Sequence, residues 1–89
     1  MNLAALTRSI AAHYSKHNIR ANALITGSID TGILVTVPPG DREARIRRNI
    51  LPRLGRPGEV AHLVLYLASD ESSYVTSAMF TIDGGATAL

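Results

Sequence analysis

Asn18-Ile19-Arg20-Ala21-Asn22-Ala23-Leu24-Ile25-Thr26-Gly27-Ser28-Ile29-Asp30-Thr31 is the stretch on which the fold turns. Its first part, residues 19–25 (IRANALI), is short and apolar with a single Arg near its start. That pattern suits a buried parallel strand better than a strand with one face in water. Thr26-Gly27-Ser28 breaks it. Almost no loop separates it from the preceding segment, which reads as an amphipathic helix over residues 2–17. There Leu3, Leu6, Ile10 and Tyr14 recur at spacings of three and four and share one face. Asn2 is placed to cap this helix, and His17-Asn18 ends it. Ala4, Ala5, Ala11 and Ala12 raise its propensity and let a neighbour approach closely. A helix feeding directly into such a strand is half of a βαβ unit.

Working outward toward the C-terminus, Val37-Pro38-Pro39-Gly40 is a turn. Asp41 is expected to cap a short arginine-rich helix, DREARIRRNI, with Glu43 and Arg47 as a favourable i,i+4 pair. Only Ile46 and Ile50 give it an apolar edge, so it belongs on the surface. Pro57 opens the next helix where proline is preferred, and Glu59 complements the dipole of its first turn. Val60, Leu63, Val64 and Leu67 form its predicted buried stripe. Ala61, Leu65 and Ala68 make the opposite side apolar as well, which predicts burial from two sides. After the polar turn 69–73, Met79-Phe80-Thr81-Ile82-Asp83 reads as a second strand stopped by Gly84-Gly85. The order helix, strand, helix, helix, strand is α/β and describes the edge of a parallel sheet, incomplete as a domain. Each strand wants further neighbours, and one face of each helix wants a sheet that these residues cannot supply.

Composition narrows the function. Eighty-nine residues allow one small domain at most. The absence of cysteine excludes disulfides, thiolate zinc sites and thiol nucleophiles. No apolar run approaches the ~20 residues of a membrane span, and Arg8 interrupts any signal-like N-terminal core. The expectation is a soluble, cytoplasmic protein without membrane contact. The balance of nine basic to seven acidic side chains is mild. Arg42, Arg45, Arg47, Arg48, Arg53 and Arg56 do cluster, but no aromatic residue interleaves them. That and the net charge of only +2 argue against a nucleic-acid partner. His13 and His17 have ligand spacing but lack the further ligands zinc needs, so no metal is expected.

Three stretches together resemble the C-terminal half of the short-chain dehydrogenase/reductase family. Residues 18–31 are similar to that family's g-I-R-V-N-x-I-x-P-G-x-I-x-T strand and loop. Arg53-Leu54-Gly55-Arg56-Pro57-Gly58-Glu59-Val60-Ala61 and Tyr66-Leu67-Ala68-Ser69-Asp70 resemble its R-x-G-x-P-E-E-V-A helix entry and F-L-A-S-D exit. Tyr74-Val75-Thr76-Ser77-Ala78-Met79-Phe80-Thr81-Ile82-Asp83-Gly84-Gly85 resembles its closing Y-I-T-G-x-x-L-x-V-D-G-G strand. The match covers nearly all residues in family order and spacing. It implies the C-terminal part of a Rossmann-like parallel sheet, with a substrate-lid-like segment over 31–57.

The resemblance also implies chemistry, and what is missing limits it. Full-length members transfer hydride between NAD or NADP and an alcohol or carbonyl. By position, their nicotinamide contacts fall to Thr26, Gly27, Ile29 and Thr31. The family's glycine-rich phosphate turn has no counterpart here, and neither do its catalytic Ser and Y-x-x-x-K pair. Four residues after Tyr14, Tyr66 and Tyr74 stand Asn18, Asp70 and Ala78. By alignment the sequence begins just after the position of that Lys. No catalytic residue is therefore expected, and the segment alone should neither hold the dinucleotide nor turn over. The alternative is a non-catalytic interaction module that pairs with itself or an intact paralogue through the 58–68 helix and the 79–83 strand. Two departures stand out: Thr26 replaces the family's Pro, and Ser77 replaces a Gly whose φ, if positive, would strain Ser.

Overall fold

A computed structural model describes residues 2–32 and 36–88. Helix α1 spans Leu3–Tyr14. Asn2 caps it: its side-chain oxygen accepts from the Ala5 N–H at 2.8 Å. A 3-10 turn, Ser15–His17, follows, and Asn18 ends the helix in the left-handed region at φ 60°. Its N–H donates to the Ser15 carbonyl at 3.0 Å, the expected left-handed stop.

Strand β1, Ala23–Thr26, pairs in parallel with β2, Met79–Ile82. The register is Ala23 on Met79 through Thr26 on Ile82. The predicted strand over 19–25 thus begins four residues late and ends one later. The reason lies in Arg20 and Asn22, whose side chains, with the backbone bond from Ser77 to the Ala21 carbonyl, hold that stretch in place of a continuous ladder. Arg20 donates to the carbonyls of Leu67, Ser69 and Val75 at 3.0, 3.2 and 3.1 Å. Asn22 donates to the Val75 carbonyl at 3.0 Å and accepts from the Ala78 N–H at 3.1 Å.

Helix α2 is shorter than predicted, Asp41–Arg47. Its N-cap is Gly40 at φ 95°, and Asp41 is the first helical residue. The Pro38–Gly40 turn moves the start: the Asp41 N–H is bonded to the Pro38 carbonyl and the Ala44 N–H to that of Gly40. No Glu43–Arg47 ion pair forms among the described residues; Arg42 instead pairs with Asp30 at 3.2 Å. Helix α3, Pro57–Ala68, starts at the predicted proline, with Arg56 as N-cap. The Arg56 N–H donates to Glu59 Oε1 at 2.9 Å, one half of a capping box, while the Glu59 N–H donates to the Arg56 backbone carbonyl at 2.9 Å.

The apolar stripes are less covered than the periodicity predicts. On α1 the buried residues are Thr7 and Ala11, while Leu3, Leu6, Ile10 and Tyr14 are exposed. Small side chains let α1 lie close to β1, and the larger stripe, which flanks the Thr7–Ala11 line on the helix, is left uncovered. On α3 no residue is fully buried and Val64 stays 48% exposed. Among the described residues the fully buried apolar core is Ala11, Ala23 and Leu54. The radius of gyration is 15.6 Å, against about 12 Å for a compact domain of this length. The accessible surface is 6394 Å², against about 5000 Å² for a folded monomer of this mass. This is part of a Rossmann-like α/β sheet with its helices, incomplete as a domain.

Candidate functional site

The C-terminal ends of β1 and β2 lie side by side, and the loop leaving β1 crosses them. In open parallel sheets this edge is where ligands sit. Thr26 ends β1 and is exposed. Gly27 continues the ladder by donating to the Ile82 carbonyl at 3.0 Å. A Cβ on Gly27 would stand 2.8 Å from both Cα and Cβ of Asp83. Close approach is therefore the demand on Gly27, as its position suggests. The neighbour shown is the β2 end rather than a ligand.

Ile29 makes an isolated parallel bridge with Gly55. The Gly55 N–H donates to the Ser28 carbonyl at 3.0 Å, and the Asp30 N–H to that of Gly55 at 2.7 Å. This bridge draws the two ends of the intervening segment together. The segment over 31–57 thus starts and ends near a neck beside the loop; its residues 33–35 lie outside the described ones. The Thr31 N–H turns back to the Ile29 carbonyl at 2.9 Å, and its side chain is exposed.

Beneath the neck is a cavity of about 90 Å³, walled by Ile29, Leu51, Gly55, Ile82 and Gly84 among others. Of the four predicted contact residues, Ile29 lines it. Ser28, Arg53, Glu59 and Asp83 add polar groups, and the charged ones are internally matched. Arg53 grips Glu59 with two bonds of 2.7 and 3.0 Å. That fork, with the Arg56 N–H, holds the Glu59 carboxyl down from 4.5 to about 2. Asp83 accepts from the Thr87 hydroxyl, the Gly85 N–H and the Thr87 N–H at 2.7, 2.8 and 3.1 Å. Those bonds, the Thr87 hydroxyl foremost, lower its pKa too.

The Arg53–Glu59 clasp was not anticipated from sequence. The six-residue spacing across Gly55 and Pro57 carries the signal: two turn formers fold the chain back so that the charges meet. The arginine cluster is likewise partly spent internally, on Asp30 and Glu59. His13 Nδ1 lies 3.2 Å from the Ser9 carbonyl, and the rings of His13 and His17 both tilt against Tyr14.

A parallel strand pair with its helices, a glycine held against the neighbouring strand end and a loop with a necked excursion make up the C-terminal edge of a Rossmann-like sheet. Comparison with known proteins agrees. A family model described as Enoyl-(Acyl carrier protein) reductase matches residues 1–87. The 3-oxoacyl-(acyl-carrier-protein) reductase of Thermotoga maritima is 45% identical over 80 residues, 90% of this chain and 32% of the relative. The 2-keto-3-deoxy-L-fuconate dehydrogenase of Xanthomonas campestris is 44% identical over 87 residues, 90% of this chain and 29% of the relative. The crystal structure of 3-oxoacyl-(acyl-carrier protein) reductase from Brucella melitensis superposes with a TM-score of 0.89 at 35% identity, covering 93% of this chain and 31% of that one. The chain belongs to the short-chain dehydrogenase/reductase family. It spans about a third of the length of these curated relatives.

Proposed function

We propose that these residues are the loop-and-lid part of an NAD(P)-dependent oxidoreductase acting on an alcohol or carbonyl. The observation that carries the reading is the loop 26–31 crossing the C-terminal edge of the parallel pair, with the neck at Ile29 and Gly55 beside it. The residues fit one end of a dinucleotide. Thr26 and Thr31 present exposed hydroxyls at that edge, and Gly27 keeps the β1 exit flush against the end of β2. They would hold the nicotinamide end, with Ile29 as the apolar floor. When bound, the cofactor supplies the hydride acceptor or donor. The task of these residues is to orient its carboxamide and to keep water off that face.

Ser, Tyr and Lys of the family's proton-transfer set have no counterparts here, nor has the glycine-rich phosphate turn. Alone, therefore, the 89 residues neither grip the dinucleotide nor turn over. The first experiment reads the frame upstream of Met1 for the glycine-rich turn and the Y-x-x-x-K pair. Finding both supports an intact oxidoreductase with Thr26–Thr31 at its cofactor. Turnover of NADH or NADPH by the isolated 89 residues would overturn the division of labour.

A second reading has its own observation. Leu3, Leu6, Ile10 and Tyr14 stand 50, 44, 37 and 49% exposed along one face of α1, and Leu65 stands 68% exposed on α3. A non-catalytic module would cover such faces by pairing with itself or an intact paralogue through the 58–68 helix and the 79–83 strand. Light scattering on the purified chain decides: a folded monomer counts against it.

A further inference from the structure

The Asp83-Gly84-Gly85 turn has a function beyond ending β2. Gly84 and Gly85 both lie at positive φ, +64° and +90°, and together they form a socket. A Cβ on Gly85 would stand 2.7 Å from Ile50 Cβ, and one on Gly84 3.2 Å from Asn49 Nδ2. The Leu51 N–H donates to the Gly84 carbonyl at 2.9 Å. Asn49 Nδ2 reaches forward to the Arg53 carbonyl at 2.8 Å and so stiffens the stretch that follows. That stretch ends in the bonds between Gly55 and the 28–30 loop. Residues 49–55 are thus a strap, seated in the glycine pair at one end and laddered to the loop at the other.

We propose that the Gly84–Gly85 socket fixes the 28–31 loop through this strap, so that disturbing the last turn of the chain resets the loop. A contiguous run of packed atoms and backbone hydrogen bonds is the kind of path that carries such coupling. Two features distinguish it from the direct route through Gly27. It reaches Asp30 and Gly55, which the β1–β2 ladder does not include. It also depends on a side-chain clip, Asn49 on the Arg53 carbonyl, which the Gly27 route lacks. Its consequence for cofactor orientation rests on the oxidoreductase reading above; the coupling itself does not.

Amide hydrogen exchange on the full 89-residue chain, without cofactor, tests it. Asn49→Ala removes the clip and its contact with Gly84 while leaving every backbone donor in place. Gly85→Ala expels Ile50 from the socket. In either variant the amides of Leu51, Asp30 and Gly55 should exchange about three- to tenfold faster, the loss of roughly one net hydrogen bond. Those of Ala23 and Gly27, bonded to Ala78 and Ile82, should stay at the parent rate. Acceleration at Leu51 without Asp30 and Gly55 overturns the proposal. So does uniform acceleration in Asn49→Ala that includes Ala23 and Gly27, or a parent chain with unprotected Asp30 and Gly55. Because no dinucleotide is added, failure of the cofactor reading leaves this result standing.

Discussion

The joint between α3 and the entry to β1 is made by side chains on backbone carbonyls, whereas the side-chain joints flanking the 28–31 loop and the backbone-bonded neck are charge meeting charge. At the first, Arg20 gathers the carbonyls of Leu67, Ser69 and Val75, and fully buried Ser72 donates to Leu67 and Ser69 as well. The Leu67 carbonyl is one that a helix end leaves without an intrahelical partner; those of Ser69 and Val75 belong to the segment that follows α3. At the second, Asp30 meets Arg42 and Glu59 meets Arg53, with side chains 39 to 49% exposed. The difference teaches where rigidity and responsiveness lie. The carbonyl joint pairs no carboxylate with its cation, so acid removes no ion pair there. The charged joints respond to both pH and salt.

The largest effect should come from breaking the carbonyl joint. Arg20→Ala removes three hydrogen bonds at once, although each carbonyl keeps another donor, Ser72 on Leu67 and Ser69 and Asn22 on Val75, and charged hydrogen bonds of this kind carry about 1.5–3 kcal/mol each without being additive. A loss of about 2–4 kcal/mol is expected, read as the shift in urea midpoint. Arg20→Lys should recover little, because a single ammonium cannot reproduce the planar fork across Val75 and Leu67. The next effect has the opposite sign. Ser77 is held at φ 61°, with its N–H on the Ala21 carbonyl at 2.7 Å. Ser77→Gly should stabilise by about 1 kcal/mol, seen as a rise in melting temperature.

Ser77 also shows how far sequence reading reached. A serine where relatives of this pattern carry glycine pointed to a left-handed residue, and the backbone is left-handed there. The parallel strand pair, the helix started by Pro57 and the stop at Asn18 were equally legible, since each rests on local chemistry. Strand onset was not, because Arg20 and Asn22 take tertiary partners more than fifty residues away. The cap of α2 was misplaced because Asp41 has a capper's chemistry but Gly40 has the required φ. At the site, the strand break at Thr26-Gly27-Ser28 was legible from the residues, whereas the contact set Thr26, Gly27, Ile29 and Thr31 came only from the family resemblance, carried over by position. The Ile29–Gly55 neck and the Arg53–Glu59 clasp were not legible, since both depend on how the chain returns after α2.

Acid should separate the two kinds of joint. Glu59 has its pKa lowered from 4.5 to about 2 by the Arg53 fork and the Arg56 N–H, and Asp83 is lowered by the Thr87 hydroxyl. A depressed carboxylate contributes its stability above its unfolded value and loses it as pH falls through the folded one. The clasp should therefore be complete above about pH 4.5 and fade as pH falls toward about 2. Glu59→Gln should flatten that part of the stability–pH profile while leaving the Asp83 share. A profile of unchanged slope would mean that the clasp does not form in solution.

The smallest effect, and the sharpest test of the contrast, belongs to Arg42. Its fork to Asp30, at 3.3 and 3.2 Å, ties α2 to the residue that follows Ile29. Both side chains are about half exposed, 46 and 49%, so solvent screens the pair and the two long-range consequences diverge. Global stability should hardly change in Arg42→Gln, since the neck remains bonded through Gly55. The local attachment of α2 should change, because no other ion pair reaches that helix among the described residues. Amides of Ala44 to Arg48 should exchange faster in Arg42→Gln at low salt. In the parent chain added salt should produce the same acceleration, and in the variant it should add nothing. If salt accelerates both equally, α2 is held by something other than this pair, and the distinction between a joint of side chains on carbonyls and a charged joint that yields to ions fails at its most exposed point.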